Sequence, residues 1–146
     1  MKVDAVFNSK EVQKMLKKYP NRIDRATKDG LETASTRGEN IIRERTQRGR
    51  GVHGAFKRYS EGYLKHLRTT GRPTKPDLIY DNHMMGSLFA KARSSKLAII
   101  SFRRTPEKRK AIWNHKTRPF FDHNHREKKM IRKEFAKEFY RNMARA

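Results

Sequence analysis

Histidine, aspartate and asparagine residues are concentrated between positions 115 and 125, in a spacing that would suit metal binding. The run Asp122-His123-Asn124-His125 contains an H-x-H pair, and His115 lies eight residues before His123. Imidazole and carboxylate groups are good ligands for zinc and similar ions. An HNH-type nuclease also uses a His base, an Asn and a metal, but its motif normally spans a hairpin and the following helix. Since Asp122 or Asn124 as a helix N-cap explains this run without chemistry, we predict no metal site and keep the HNH-like nuclease as a minor alternative.

Other catalytic patterns are missing from the sequence. It contains neither G-x-x-x-x-G-K-[ST] nor G-x-G-x-x-G after a predicted strand. Its carboxylates mostly lie beside Lys or Arg, which disfavours a paired acid and base. The 146 residues include no cysteine, so disulfides and thiolate metal sites are excluded. We therefore predict no catalytic residue, no cofactor and no enzymatic activity.

Basic residues dominate the remaining chemistry. The chain has 37 Lys and Arg against 15 Asp and Glu, a net charge of +22. Such a chain attracts polyanions, so nucleic acid, an anionic membrane or an acidic protein surface are the candidate partners. We predict contacts with nucleic acid or an acidic partner at Arg43, Arg45, Arg48, Arg50, Lys57 and Arg58, and in a second cluster at Arg103, Arg104, Lys108, Arg109 and Lys110. The same charge runs are also typical of solvated surfaces.

Aromatic residues alternate with the first basic cluster. Phe56, Tyr59 and Tyr63 are able to stack on bases or on guanidinium groups. They are equally suited to docking on a neighbouring subunit, and the two uses do not exclude each other.

Apolar periodicity predicts an α+β fold, with helices packed on a small antiparallel sheet, in one domain over residues 1–146. We expect a strand over 2–7, then a short helix, then a longer one after Pro20. The buried side of that longer helix should comprise Ile23, Ala26, Gly30, Ala34, Ile41 and Ile42. Because no apolar run approaches about 18–20 residues, we expect no membrane span.

The second half of the chain begins with residues 46–77, a stretch rich in Gly and Pro that predicts an extended loop or arm with a helical turn near Tyr63–Arg68. A helix should start at about Asn82, with Met84, Met85, Leu88 and Phe89 in the core. We further predict a β-hairpin over 97–115, with strands at 97–102 and 111–115. A helix over 124–143 should follow, burying Ile131, Phe135, Phe139 and Met143.

Several short motifs occur in an order that one protein family shares. They are R-G-E-N-I-I-R-E-R-T (37–46), G-V-H-G-A-F-K-R-Y-S-E-G-Y (51–63), D-L (77–78), H-M-M-G-S-L (83–88) and T-R-P-F-F (117–121). This order resembles the tail-completion and virion-morphogenesis proteins of tailed bacteriophages, the minor tail protein Z-like group, over about residues 30–125.

The resemblance implies a structural role in tail completion and head-tail joining, as a ring of identical subunits at the junction of capsid and tail. It implies subunit contacts in three groups of residues. These are an arm (Gly51, Gly54, Phe56, Tyr59, Ser60 and Tyr63), a brace (Asp77, Leu78, Met85 and Leu88) and the segment before the last helix (Arg118, Pro119, Phe120 and Phe121). The implied location is the virion, and the host cytoplasm during assembly.

Two main hypotheses follow. The first is a subunit of a homo-oligomeric ring, a hexamer or dodecamer, whose 46–77 arm grips its neighbour because so small a core cannot bury the arm's aromatic residues. Its partners would be phage connector or adaptor proteins and tail-tube or tail-terminator proteins, with genomic DNA as a further contact. The alternative is a monomeric or dimeric nucleic-acid-binding protein. An HNH-like nuclease at His115, His123 and His125 is a third hypothesis.

Overall fold

Helices and two short antiparallel hairpins make up the described part of the chain in the computed structural model, so the predicted α+β fold class is confirmed. The structure describes residues 13–14, 17–79 and 82–145. In that part the elements are α1 (Pro20–Gln47), β1 (Arg50–Gly51), β2 (Gly54–Ala55), α2 (Glu61–Thr69), α3 (His83–Gly86), β3 (Leu88–Ser94), β4 (Leu97–Phe102), α4 (Thr105–Thr117) and α5 (His125–Ala144). The predicted strand over 2–7 lies outside the described residues. None of the described helices has the length and apolar character that crossing a bilayer requires.

The longest helix, α1, begins and ends on recognisable sequence signals. Pro20 supplies the fixed φ that suits a first helical turn, where its missing N–H is not needed. Beyond Gln47, Gly49 adopts a φ of 72° and donates its N–H to the Thr46 carbonyl at 2.8 Å, which is a glycine stop. The predicted buried side is confirmed for Ile23, Ala26, Gly30, Ala34, Ile41 and Ile42.

Residues 46–77 do not form the predicted extended arm. β1 pairs with β2, and α2 follows after Ser60, whose hydroxyl accepts the N–H of Tyr63 at 3.4 Å as an N-cap. The helical turn predicted near Tyr63–Arg68 is thus present, as part of a longer helix. The arm prediction was wrong because the apolar residues of this segment are buried in their own chain, at Phe56, Leu64 and Leu67.

The β-hairpin predicted over residues 97–115 is wrong in its second strand. β4 is present, but its partner is the preceding strand, β3, across a two-residue turn. The predicted strand at 111–115 is helical and belongs to α4, which has Pro106 in its first turn and Glu107 buried. This helix-start signal outweighs the strand preference of the aromatic and branched residues that follow. The basic residues 103–110 therefore lie at the start of a helix.

The helix predicted from about Asn82 is a single turn. α3 ends at Gly86, and Leu88 already begins β3. Burial is confirmed for Met84, Met85 and Leu88, whereas Phe89 is half-buried. The apolar spacing of this segment therefore predicted the burial of Met84, Met85 and Leu88 correctly, but it did not predict the length of the helix.

The C-terminal helix agrees with the predicted range of 124–143. α5 buries Ile131, Phe135, Phe139 and Met143, as the four-residue spacing predicts. The rings of Phe135 and Phe139 stack with their centroids 6.0 Å apart.

Contacts divide the chain into two units. Among the described residues, unit 1 comprises those up to Glu39, those of Ala90–Ile100 and those from His125 onward, and unit 2 comprises those of Asn40–Phe89 and Ser101–Asn124. In unit 1, α5 packs on α1 so closely that a β-carbon at Gly30 would lie 2.9 Å from the ring of Phe135. In unit 2, the most deeply buried large side chains are Ile42, Leu64, Leu88 and Phe120.

Candidate functional site

Two segments that are distant in the sequence meet in unit 2. The Val52 N–H donates to the Pro119 carbonyl at 2.9 Å, and Arg118 Nε donates to the Lys57 carbonyl at 3.1 Å. Gly51 lies so close to Pro119 that a β-carbon at Gly51 would collide with the Pro119 carbonyl oxygen. The glycine-rich segment and the R-P-F-F segment therefore form one continuous surface within a single chain.

A groove of about 530 Å³ lies beside this junction, lined by residues of α2, of α4 and of the segment that joins α2 to α3. Its apolar lining comprises Tyr59, Tyr63, Leu67, Leu78, Ile79, Met84 and Trp113. Its basic lining comprises Arg72, Lys75, Lys110 and Arg118. We call this feature the Trp113 groove. Its size lies within the usual range of ligand pockets, about 300–1,000 Å³.

One wall of the Trp113 groove is a cluster of aromatic and basic side chains. The rings of Tyr59 and Tyr63 meet edge to face, with centroids 4.9 Å apart and planes at 83°. The Arg118 guanidinium lies over the Tyr59 ring, 4.7 Å from its centroid. The ring of His66 stacks on Tyr63 with a centroid distance of 6.1 Å. These mutual contacts hold the rings of the wall in place without a ligand.

Burial raises the pKa of the Tyr59 hydroxyl above its ordinary value. The charges of Asp77 and Tyr63 raise this pKa further, whereas a hydrogen bond from the Leu78 backbone and the positive charge of Arg118 lower it. Tyr59 therefore presents a neutral hydroxyl at the groove at physiological pH.

The floor of the groove includes a residue in an unusual backbone conformation. Leu78 has a φ of 58°, the left-handed region that bulky side chains rarely adopt. Its neighbour Asp77 accepts the Ile79 N–H on Oδ1 at 2.9 Å, which closes a local turn around Leu78. The turn keeps the Leu78 side chain buried below the groove.

The outward side of α4 carries two large apolar residues among basic ones. Trp113 is 68% exposed and Ile112 is 54% exposed. Lys108 and Arg109 are exposed one helical turn before them, and Lys116 is exposed one turn after Ile112. Tryptophan is enriched at protein–protein interfaces relative to the rest of the protein surface.

The second predicted basic cluster is exposed at the start of α4. Arg103, Arg104, Lys108, Arg109 and Lys110 all face solvent. Arg103 also lies over the ring of Phe89 at 5.8 Å, and Lys110 pairs with Glu107 at 3.4 Å. The structure brings only Lys110 of this cluster to the Trp113 groove.

The first predicted basic cluster separates into two kinds of residue. Arg48, Arg50, Lys57 and Arg58 are exposed, in keeping with contact to a polyanion. Arg45 is only 9% exposed and donates to the carbonyls of Phe120 and Asp122 at 2.6 and 2.7 Å. Arg43 donates to the carbonyls of Met85 and Leu88. The prediction of polyanion contact is corrected for Arg43 and Arg45, because their guanidinium groups hold carbonyls of their own chain.

The residues expected at subunit contacts divide in the same way. Buried members offer a neighbour almost no surface, and for these the expectation is corrected: Gly51, Phe56, Met85, Leu88 and Phe120. Phe120, for example, is 0% exposed. Leu78 is buried as well, but it lines the floor of the Trp113 groove. The remaining members are exposed or half-buried: Gly54, Tyr59, Ser60, Tyr63, Asp77, Arg118, Pro119 and Phe121. Of these, Tyr59, Ser60, Tyr63, Asp77 and Arg118 line the Trp113 groove.

The structure places His115, His123 and His125 in different surroundings. His115 Nδ1 accepts the Phe121 N–H at 3.2 Å, and its ring meets Phe120 edge-on with centroids 6.1 Å apart. His123 is buried, and His125 is exposed at the start of α5. Among residues 13–14, 17–79 and 82–145, no three His, Asp or Glu side chains gather closely enough to hold a metal ion.

Trp113 is the site residue that sequence reasoning missed. The composition of residues 111–115 favours a strand. A strand prediction does not show which side chains of this run lie on the same side as Lys110, so Trp113 was not placed beside the basic residues. The available signal was Pro106 followed by Glu107, which starts a helix and places Trp113 one turn after Arg109.

No family model, no characterised protein and no solved structure matches the chain. The shape, charge and lining residues of the Trp113 groove indicate what it is able to bind.

Proposed function

We propose that the protein is a structural subunit of a bacteriophage neck or tail that acts in tail completion and head-tail joining, as part of a ring at the capsid–tail junction. The observation that carries the proposal is the convergence of separate motifs. Residues of the 51–63, 77–78 and 117–121 motifs, whose order resembles that of the tail-completion proteins, meet around the Trp113 groove. Such convergence is expected where the motifs serve one assembly surface.

The exposed side of α4 supports a role in macromolecular assembly. Trp113 stands at the groove with most of its surface in solvent. Tryptophan contributes disproportionately to binding energy when a partner covers it. A ring subunit needs such a surface on each face that meets another component.

The net charge of +22 limits how such a ring assembles. Identical subunits of this charge repel one another, so assembly requires an anionic component nearby. Acidic neck proteins and the phosphates of the packaged genome both meet this requirement.

Immunogold labelling of purified phage particles tests the proposal. An antibody raised against the chain should label the junction of capsid and tail, or the end of the tail. Particles that carry no label, from a lysate in which the protein is abundant, would contradict it. The reading frames next to the gene provide a second test, since portal, adaptor and tail-tube genes are expected there.

The second candidate function is nucleic-acid binding. The observation that favours it is the exposed indole of Trp113 beside Lys110, a combination able to stack a base and neutralise a phosphate. In this case the isolated protein should bind oligonucleotides with an affinity that falls steeply with salt. A ring that persists at high salt, without such binding, favours the structural function.

A further inference from the structure

We propose that the Trp113 groove binds an acidic segment of a neighbouring protein in the particle, with one aromatic or large aliphatic side chain of that segment seated against Trp113. The inference rests on the proposed function and names the kind of partner that the groove takes. The occupant is a peptide segment with carboxylates on both sides of an apolar anchor.

The floor of the groove favours an apolar side chain. Leu67, Leu78 and Met84 are buried beneath it and present aliphatic surface. Trp113 stands beside this floor with most of its surface exposed. An anchor residue that fills the space would cover the indole and displace water from apolar surface, which is where binding energy concentrates in protein interfaces.

Charge complementarity favours acidic residues next to the anchor. Four basic residues line the groove, against the single described acid, Asp77. The Asp77 carboxylate already accepts the Ile79 N–H at 2.9 Å, so one of its oxygens is hydrogen-bonded to the backbone of its own chain. Lys75 is exposed, and Lys110 keeps about half of its side-chain surface in solvent although it pairs with Glu107. Carboxylates of a partner are therefore the groups that this rim attracts.

A nucleic acid fits the same groove less well. Binding of a single strand relies on successive open aromatic faces on which bases stack. The face of Tyr59 is covered by Arg118 at 4.7 Å, and the ring of Tyr63 contacts both Tyr59 and His66. Trp113 is left as the open aromatic face among the described lining residues of the groove.

A second copy of the chain is also a poor occupant. The chain has 15 acidic residues against 37 basic ones, so its own segments bring positive charge to a positive rim. The partner is therefore a different, acidic protein.

The single tryptophan of the chain makes occupancy directly measurable. The full-length protein is titrated with the synthetic peptide EDEDFLEDED while the Trp113 fluorescence is recorded. The emission should shift to shorter wavelength and saturate as the indole leaves water. The acidic peptide EDEDGGEDED, which lacks the anchor, and the neutral peptide QNQNFLQNQN should each bind about tenfold more weakly or worse.

Variants locate the site by anisotropy of a fluorescein-labelled EDEDFLEDED. Trp113→Ala should weaken binding by about tenfold or more, whereas Ile112→Ala, at an exposed neighbour outside the groove, should change it by less than about twofold. Lys75→Glu should weaken binding more than Lys116→Glu, an equal charge change at an exposed position outside the groove. Circular dichroism confirms that each variant is folded.

Three outcomes would overturn the inference. They are equal binding of all acidic peptides regardless of the anchor, binding that Trp113→Ala leaves unchanged, and tighter binding of oligothymidylate than of EDEDFLEDED at the same salt concentration. None of these concerns the presence of the protein in particles, so immunogold labelling at the neck would still stand and the failure would belong to the groove alone.

Discussion

The guanidinium group of Arg118 lies over the ring of Tyr59, 4.7 Å from its centroid. Through its Nε the same side chain donates to the Lys57 carbonyl at 3.1 Å. One arginine thereby joins the loop after α4 to the segment before α2 and forms part of the Trp113 groove. A guanidinium–aromatic contact of this kind contributes about 0.5–2 kcal/mol, so the groove is held in shape before any partner arrives.

Arg45→Ala should lower the free energy of unfolding by about 3 kcal/mol, because two backbone carbonyls inside unit 2 lose a charged donor. The carbonyls are those of Phe120 and Asp122, at 2.6 and 2.7 Å. Urea denaturation followed by circular dichroism measures the change. Arg48→Ala, an exposed arginine just after the same helix, is the control and should stay within about 0.5 kcal/mol. Equal effects of the two substitutions would contradict a structural role for Arg45.

Gly51→Ala should destabilise the protein by about 1–3 kcal/mol, since the added methyl collides with the Pro119 carbonyl oxygen and the backbone must move. The matched control is Gly62→Ala in the first turn of α2, where a β-carbon meets open space. That control should be neutral or stabilise by up to about 1 kcal/mol, because alanine favours helix. Thermal melting of both variants shows whether each substitution lowers or raises the stability of the protein. A Gly51→Ala variant as stable as the wild type would contradict the close approach of Gly51 to Pro119.

Tyr59 should make the protein less stable at alkaline pH. Because burial raises the pKa of Tyr59, the folded chain keeps this proton at a pH where the unfolded chain has lost it. Unfolding then releases a proton, so this contribution to stability is complete below the ordinary tyrosine pKa of about 10 and is lost as the pH rises from there through the raised pKa of the folded chain.

The measurement for Tyr59 compares the free energy of unfolding of the wild type and Tyr59→Phe from neutral pH to above pH 10. The difference in the free energy of unfolding between the wild type and Tyr59→Phe should shrink with rising pH. Tyr140→Phe, at an exposed position of α5, serves as the control and should leave the pH dependence of the wild type unchanged. A gap between wild type and Tyr59→Phe that is constant across this range would contradict the raised pKa.

Salt should stabilise the isolated protein. With a net charge of +22, repulsion between basic residues disfavours the folded state, and ions screen it. Exposed ion pairs such as Arg58 with Glu61, at 3.3 Å, are too weak to offset this repulsion. The urea midpoint is therefore expected to rise as sodium chloride is added. A falling midpoint would mean that ion pairs outweigh repulsion in the folded chain.

Periodicity predicted the long helices, because a buried stripe at helical spacing needs no knowledge of the rest of the fold. In α5 the residues Ile131, Phe135 and Phe139 are buried as expected. Between those helices the sequence pattern was less informative. Glycines at 49 and 54 indicate turns, but whether Phe56 is buried in its own chain depends on distant partners such as the R-P-F-F segment.

The candidate site was predicted in part. Tyr59, Tyr63, Asp77 and Arg118 were expected at subunit contacts, in three separate groups, and the structure brings them together around one groove. Trp113 was not expected there, because its run has the composition of a strand and only the start of α4 sets its orientation. Charge alone also could not distinguish Arg45, which binds carbonyls, from the exposed Arg48 beside it.

Complementation of a phage that lacks the gene tests the central claim most directly, with electron microscopy used to count particles whose heads and tails are joined. Without the gene, filled heads and separate tails should accumulate, and the wild-type gene should restore joined particles. The Trp113→Ala gene should restore few, whereas the Ile112→Ala gene should restore them as well as the wild type does. Joined, infectious particles without the gene would contradict the proposed function, and full restoration by Trp113→Ala would contradict the role of the groove.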